Sequence, residues 1–327
     1  MKNKKVLIMG GVVIVVFAIV LVFLFSHKKE KEFLITPIQQ TSLSSSKKEI
    51  SLKSLDEWVK DKDFFLWKIE NNVQLEKVKE IANSSGLELN FSSESYFYEW
   101  RKDEKFIKYN LSTNTLIASG DDIFVLDSLE LETSSIFSLL VQKYFGFDWE
   151  YEVFNVVKAE DGITKYYAKR YVGDNLVEKD LWDNQTDNLV IRDGKIISVN
   201  LLLSQFTNTN KITPLISQKE LKTFINQRNY PKTDSFDFGV IIDEPNYEEM
   251  MYDSKEWEKI NKSIRDCKAD KISVVYLYKD MAQEYLTPVY KIEAQCTMTY
   301  RKKDYFIPST WYVNAINPEL ILTNDKK

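Results

Sequence analysis

The feature that most constrains this chain is an uncharged run of 20 residues, Val6–Phe25, near its start. A helix of that length is about 30 Å long, which matches the hydrocarbon core of a bilayer. A cleaved signal peptide has a shorter apolar region that ends in small residues, and no such site follows Phe25. A buried core helix, the other alternative, normally carries polar residues on one side. The run therefore predicts an uncleaved membrane anchor.

The charges that flank this run are nearly balanced. Three lysines precede it, and three lysines with two glutamates follow it: Lys2, Lys4, Lys5, Lys28, Lys29, Lys31, Glu30 and Glu32. Size decides the orientation, because long domains translocate largely regardless of charge and about 300 residues follow the run. We expect a single-pass protein of the cell membrane that contacts the lipid bilayer through Val6–Phe25, with its C-terminal domain outside the cytoplasm.

The charge balance of the remaining chain limits its partners. The chain has 44 basic and 49 acidic side chains, and residues 1–32 hold six of the lysines and two of the glutamates. The remainder therefore has 38 basic and 47 acidic groups, a net charge of −9. A nucleic-acid-binding domain is usually basic, so we expect no nucleic-acid partner.

Composition and turn signals divide the chain into segments. Residues 33–54 are rich in Ser, Thr, Gln and Lys without a sustained period, which is typical of a linker. The predicted organisation is a cytoplasmic N-terminus (1–5), a transmembrane helix (6–26), a linker (27–54), an N-terminal α+β subdomain (55–160), a C-terminal α+β subdomain (161–322) and a tail (323–327).

Helices are predicted where capping signals precede apolar residues at helical spacing. Ser54 with Glu57 and Ser217 with Glu220 form capping-box patterns. Glycine after the apolar stripe marks two C-terminal ends. The predicted helices are a short one after Ser54 that leads into an aromatic cluster, Gln74–Ser85, Thr133–Phe145, one from Ser217, and Ser254–Asp266.

Strand-like runs surround these helices, and Asp193-Gly194 is the strongest short hairpin signal. The helices do not alternate regularly with strands, which favours an α+β fold with mainly antiparallel sheets and packed helices. The predicted strands are Leu87–Phe91, Tyr96–Arg101, Phe106–Leu111, short strands in Thr113–Leu131, Trp149–Val157, Lys165–Val172, Asn188–Ile191, Lys195–Leu202, Lys271–Tyr278, Pro288–Tyr300 and Trp311–Ile316.

Catalytic chemistry has little support in the residues. The single histidine, His27, adjoins the predicted anchor, so the exported part holds no Ser-His-Asp, Cys-His or histidine-containing zinc arrangement. The sequence lacks a G-x-S-x-G elbow and the glycine-rich phosphate-binding motifs. We therefore predict a non-enzymatic protein with no catalytic, cofactor-binding or metal-binding residue and no cofactor.

Three weaker signals also have ordinary structural explanations. Paired carboxylates support glycoside hydrolysis in other proteins, but 47 acidic groups make chance pairs and a solvated surface the expected alternative. Asp183–Asp187 lacks the glycine and glutamate of a calcium loop, which favours a turn. An aromatic stripe is read as core, with a ligand platform as the alternative: Tyr96, Tyr98 and Trp100.

The two cysteines, Cys267 and Cys296, are predicted to form a disulfide because exported domains lie in oxidising surroundings. The alternative is a pair of inert buried thiols, as in a cytosolic protein. If the flanking strands pair about Gln283-Glu284, the thiols lie about four residues apart along the ladder, too far for a bridge in regular strands. The bridge then requires the chain to turn after the preceding helix, so that Cys267 does not continue the strand.

The last three predicted strands supply the core candidates. Side chains alternate along a strand, so Val274 and Tyr276 share one face. We predict that these two side chains, together with Val289 and Trp311, are largely buried.

Residues 187–316 resemble the YycH/YycI-type membrane-anchored regulatory proteins and, more distantly, PepSY-like modules. The features that carry the resemblance are the Asp193-Gly194 hairpin, the helix opened by Ser217, and three strands: Ile272–Tyr278, Leu286–Ile292 and Trp311–Ile316. The resemblance implies one N-terminal membrane helix, an extracytoplasmic α+β domain without enzyme activity, and modulation of a membrane sensor kinase.

Two functions follow as hypotheses. The first is a membrane-anchored extracytoplasmic protein that acts through contacts with an unidentified membrane or envelope protein, including regulation of a sensor kinase or an envelope process. The alternative is a cell-envelope module that binds a peptide or a glycan. A large apolar patch rimmed by polar residues would favour the first hypothesis, and a basic or aromatic groove would favour the second.

Overall fold

The computed structural model describes residues 48–53, 64–70, 74–93, 96–126, 133–159, 161–179, 187–227, 232–238, 254–279 and 282–316. All of them belong to one unit, Thr36–Asn317. The predicted anchor, the helix after Ser54 and the tail lie outside the described residues and stay predictions. Within the described ranges, no helix has the length and apolar character needed to cross a membrane.

Wherever local signals predicted a helix boundary, the described helices begin and end within one residue of it, except that the last helix ends at Ser263 and not at the predicted Asp266. They are α1 (Leu75–Ser84), α2 (Thr133–Phe145), α3 (Gln218–Phe224) and α4 (Ser254–Ser263). The predicted capping box of α3 is confirmed, because the Glu220 N–H donates to Ser217 Oγ and the Ser217 N–H donates to Glu220 Oε2 at 2.6 Å. Gly86 and Gly146 adopt positive φ directly after α1 and α2, a conformation that ends a helix at little cost.

Sixteen strands lie in the described residues. They are β1 (Ile50–Ser51), β2 (Phe64–Glu70), β3 (Glu88–Ser93), β4 (Phe97–Lys102), β5 (Lys105–Asn110), β6 (Thr115–Ser119), β7 (Tyr151–Lys158), β8 (Ile163–Val172), β9 (Asn175–Lys179), β10 (Asp187–Arg192), β11 (Lys195–Leu202), β12 (Gln205–Thr213), β13 (Lys232–Phe236), β14 (Arg265–Tyr278), β15 (Thr287–Tyr300) and β16 (Lys303–Asn314).

Fourteen of these strands form one sheet. Its order is β13-β16-β15-β14-β9-β8-β10-β11-β6-β5-β4-β3, with β1 on β14 and β7 on β8, while β2 and β12 pair separately. Only the β1–β14 and β9–β14 pairs among the described strands are parallel. The predicted α+β class with mainly antiparallel strands is therefore confirmed.

The buried side chains form two large clusters. The first core lies between α1, α2 and strands β4–β8, β10 and β11, and its residues come from Val78–Leu203. The second core gathers residues from both ends of the described chain around β14, β15 and β16. It includes Phe64 and Ile69 of β2, where the Ile69 N–H donates to the Glu284 carbonyl oxygen and the ring of Phe64 meets that of Tyr276. The predicted boundary at residue 160 lies between the paired strands β7 and β8.

The four predicted core residues are all buried, and each is 8% exposed or less. Val274, Tyr276 and Trp311 belong to the second core. Val289 belongs instead to a small cluster that includes Val275 and lies on the other face of β14 and β15. Both faces of this hairpin are therefore covered.

Cys267 and Cys296 form a disulfide, with Cα atoms 4.0 Å apart. Tyr276 lies opposite Pro288, so the hairpin is centred near residue 282 rather than 283–284. Two register shifts within residues 265–271 then bring the two cysteines together. The expectation that Cys267 leaves the strand is wrong, because it lies inside β14 and β-bulges close the gap that a regular ladder would leave.

Strand β1 is held against this cross-link. Ile50 lies opposite Cys267 in the parallel pairing. The Ile50 N–H donates to Asn226 Oδ1 at 3.1 Å, and Asn226 Nδ2 donates to the Ile50 carbonyl oxygen at 3.3 Å. Because Ile50 and Leu52 are also buried, the first described segment is part of the second core.

Candidate functional site

One face of the sheet is turned away from α1 and α2, whose apolar side chains pack into the first core. Directly opposite residues in a sheet point to the same side, so the registers define this outer face. One row of opposite residues crosses eight adjacent strands: Phe91, Glu99, Lys108, Ile117, Asn200, Asn188, Tyr167 and Asn155. At the usual strand spacing the row is about 34 Å long.

The outer face is basic although the chain as a whole is acidic. In these eight strands it carries six basic and three acidic side chains, Arg101, Lys108, Lys165, Lys169, Arg192, Lys195, Glu88, Glu99 and Glu152. The formal net charge of the whole chain is −5. The fold therefore concentrates positive charge on this surface.

Several of these cations lie close to aromatic rings. The cationic groups stand 4.8–5.4 Å from the ring centroids in four pairs: Lys165 with Tyr167, Lys169 with Phe154, Arg101 with Phe106, and Lys108 with Phe106. Cations at this distance are attracted to the ring face. The outer face thus presents apolar ring surface directly beside positive charge.

Glu99 is the one nearly buried acid on this face, with 9% of the residue exposed. Its carboxylate accepts hydrogen bonds from Arg101 Nε at 3.0 Å and Asn90 Nδ2 at 3.3 Å, and it lies 3.2 Å from Lys108 Nζ. Burial raises the pKa of Glu99, but the hydrogen bonds from Lys108 and Arg101 outweigh burial and hold the pKa below its ordinary value. Glu99 therefore holds Arg101 and Lys108 in place, and we call these three residues the triad.

Replacing Glu99 with glutamine should lower the free energy of unfolding by about 1–2 kcal/mol at pH 7, the scale of hydrogen bonds to a charged group. Since the pKa of Glu99 is lower in the folded state, its stabilisation is complete above the unfolded pKa, about 4.3, and is lost as pH falls through the folded value. Urea titrations should therefore give wild type a higher free energy of unfolding than the variant at pH 7. At pH 3 the two free energies should lie closer together.

The control for this measurement is Glu80→Gln on α1, which removes an exposed ion pair with Lys77. Exposed pairs contribute little, so we expect a change below about 0.5 kcal/mol. An equal loss for Glu99→Gln at pH 7 and pH 3 would show that the triad does not act through the carboxylate charge.

A second feature lies where the sheet ends, at β3. Four large apolar side chains there are 37–66% exposed: Leu89, Phe91, Tyr96 and Phe97. The rings of Phe91 and Phe97 stack with centroids 5.0 Å apart. Because β3 is a terminal strand, one side of its backbone is also free of a strand partner within the described sheet. We call these four residues the edge patch.

The aromatic stripe identified in the sequence divides between these roles. Trp100 is buried in the first core and stacks on Tyr98 at 5.6 Å, as the core interpretation predicts. Tyr96 precedes β4 and is 66% exposed. Sequence reasoning missed the outer face, although alternation in Ile163–Val172 puts Lys165, Tyr167 and Lys169 on one side of a strand.

A cavity of about 950 Å³ lies beside β1 and the disulfide. Five cations line it: Lys48, Lys53, Lys222, Lys262 and Arg265. Lys262 pairs with Glu258 at 2.6 Å and Arg265 with Asp304 at 2.7 Å. Because Glu49 and Asp266 also line the cavity, and its described lining residues include no aromatic ring, we assign no ligand to it. In the described ranges, no group of three or more His, Cys, Asp or Glu side chains is placed to hold a metal ion.

Comparison with known proteins adds no assignment. No protein family matches the chain, and no curated protein matches it. An uncharacterized protein from Eubacterium rectale ATCC 33656 has a crystal structure similar to 78% of this chain, over 84% of its own length, with a TM-score of 0.42 and 12% identity. That likeness is too distant to support an argument about fold or function.

Proposed function

We propose that this protein is a membrane-anchored extracytoplasmic protein without enzyme activity that acts by binding another protein through the edge patch. The observation that carries the proposal is the exposure of four large apolar side chains at the end of the sheet, two on the terminal strand β3 and two where β4 begins. Such clusters on a folded domain mark interaction surfaces. A terminal strand also offers backbone groups to which an extended segment of a partner can pair.

The class of partner follows from two sequence arguments. The uncharged run Val6–Phe25 is long enough to hold the protein in a bilayer, which favours a partner in the same membrane or the adjoining envelope. The resemblance of residues 187–316 to YycH/YycI-type proteins favours a membrane sensor kinase. In this proposal the protein only binds the kinase at β3, and the kinase carries out the catalysis.

The test is photo-crosslinking in intact cells, with a crosslinking amino acid at position 91 or position 96. The proposal expects one discrete protein adduct from each position. The matched control is Phe306 on β16, which is 67% exposed but distant in strand order from β3, and it should give no such adduct. Protease added to the intact cells should digest the adduct, because the proposal puts the domain outside the cytoplasm.

Substitution by aspartate supplies the second arm. Phe91→Asp should reduce the yield of adduct from position 96 by about tenfold, because it places a charge in an apolar contact. The proposal fails if positions 91 and 306 give the same products, or if protease leaves the whole domain intact.

A further inference from the structure

We infer that the outer face binds an anionic glycan, a chain of sugar rings that bear carboxylate or phosphate groups. This goes beyond the proposed function, because it assigns a different surface and a different ligand. The surface is the middle of the outer face, from Phe106 and Lys108 on β5 to Phe154 on β7, except for Asn200, which is buried. The edge patch lies at the end of the same sheet and takes no part in it.

The sign of the ligand follows from charge complementarity. Among the nine charged side chains on the outer face, the basic ones outnumber the acidic ones two to one, on a chain with net charge −5. Two of the three acids are already satisfied: Glu99 by Arg101 and Lys108, and Glu152 by the hydroxyl of Tyr171. The remaining field attracts an anion.

The rings indicate what the anion is attached to. Lys165 with Tyr167 and Lys169 with Phe154 each place a cation beside an aromatic ring, and Phe154 is 43% exposed. A sugar ring has an apolar C–H face that packs on an aromatic ring, while its carboxylate or phosphate reaches the neighbouring cation. Asn155, in the same row as Tyr167, carries an amide of the kind that pairs with hydroxyl groups.

The backbone argues against an acidic peptide as the occupant. An extended peptide usually binds a sheet by adding a strand to a free edge. Strands β5, β6, β8, β10 and β11 each have strand partners on both sides, so their backbone groups are already used. Of the strands in this surface, only β7 pairs on one side alone within the described sheet, and the poly-L-glutamate arm below tests that edge. Recognition here depends on side chains spaced along a row, which suits a chain of repeating rings.

The experiment measures binding of the full-length protein, in a neutral detergent at low salt, to polygalacturonate, to neutral dextran and to poly-L-glutamate. We expect binding to polygalacturonate, at least about tenfold weaker binding to poly-L-glutamate of equal charge, and none to dextran, since both ring contact and charge are needed.

The variants locate the site. Lys165→Gln with Lys169→Gln should weaken polygalacturonate binding by about tenfold or more, and Phe154→Ala by several-fold. The matched control is Lys77→Gln with Lys79→Gln, which removes the same charge from α1 on the other side of the sheet and should bind like wild type. Near-ultraviolet circular dichroism confirms that each variant is folded.

Three results would overturn the inference. They are an absence of polygalacturonate binding at low salt, equal affinity for polygalacturonate and poly-L-glutamate, and equal weakening by the Lys165/Lys169 and Lys77/Lys79 variants. Leu89→Asp alters the edge patch on the side of β3 opposite to the outer face and should leave glycan binding unchanged, so a failure of this inference is distinguishable from a failure of the edge-patch proposal.

Discussion

Replacing Trp311 with alanine is expected to lower the free energy of unfolding by about 3–5 kcal/mol, the range found for large aromatic residues in packed cores. The indole is 1% exposed in the second core and meets the ring of Phe236 edge to face at 6.5 Å. Its Nε1–H donates to Ser309 Oγ at 3.3 Å, so truncation also leaves that hydroxyl with one donor fewer. The lower free energy of unfolding therefore has two causes: the cavity left by the indole and the lost hydrogen bond to Ser309.

Urea titration of the full-length protein in mild detergent, followed by circular dichroism, measures this change. Phe306→Ala is the matched control, because Phe306 lies on the same strand and is 67% exposed. Its effect should stay within about 0.5 kcal/mol, as for most surface substitutions. A change well under about 1 kcal/mol for Trp311→Ala would contradict the packing of the second core.

Removal of the disulfide, by Cys267→Ala with Cys296→Ala, should cost roughly 3–4 kcal/mol. The bond closes a loop with a sequence separation of 29, and loop closure restricts the unfolded chain more than the folded one. Both cysteines are buried in the second core, so the alanines also lose packing. The loss should appear mainly in the unfolding transition, with the folded spectrum little changed.

Two measurements check this prediction. Titration of wild type with and without reductant should reproduce most of the loss, whereas reductant should not affect the double variant. Mass spectrometry after alkylation of the denatured, unreduced protein should find both cysteines protected. Two alkylated cysteines in protein taken from its native compartment would contradict the bridge and weaken the case for export.

Local sequence signals predicted the helices well. Thr133–Phe145 has the predicted bounds, and α3 begins at the predicted Ser217 cap. The hairpin at Asp193-Gly194 is also confirmed, with both residues at positive φ between β10 and β11. Each of these features is decided by residues within a few positions of one another, which a single sequence displays.

Long-range pairing was not predictable in the same way. Strand β12 has the polar sequence of Gln205–Thr213, without clear alternation, and its partner β2 lies more than 130 residues earlier. The helix predicted to reach Asp266 ends at Ser263, because Arg265 already pairs with Thr297. The bulges that join the cysteines are likewise set by tertiary pairing.

The candidate surfaces show the same division. Alternation in β8 puts Lys165, Tyr167 and Lys169 on one side, which the sequence displays. That this side faces away from the helices, and that it continues through Asn188 and Asn200, depends on the registers of four strands. Exposure at Phe91 depends on β3 being a terminal strand, a property of the whole sheet.

The attachment of β1 has a mechanical consequence. A pull on the chain ahead of Ile50 is resisted by the pairing of Ile50 and Ser51 with β14 and by the amide of Asn226. At Cys267 the load passes through a covalent bond into β15, which lies between β14 and β16. Tension from the N-terminal side therefore reaches three strands at once, and the cross-linked pair of strands cannot slip past each other to release it.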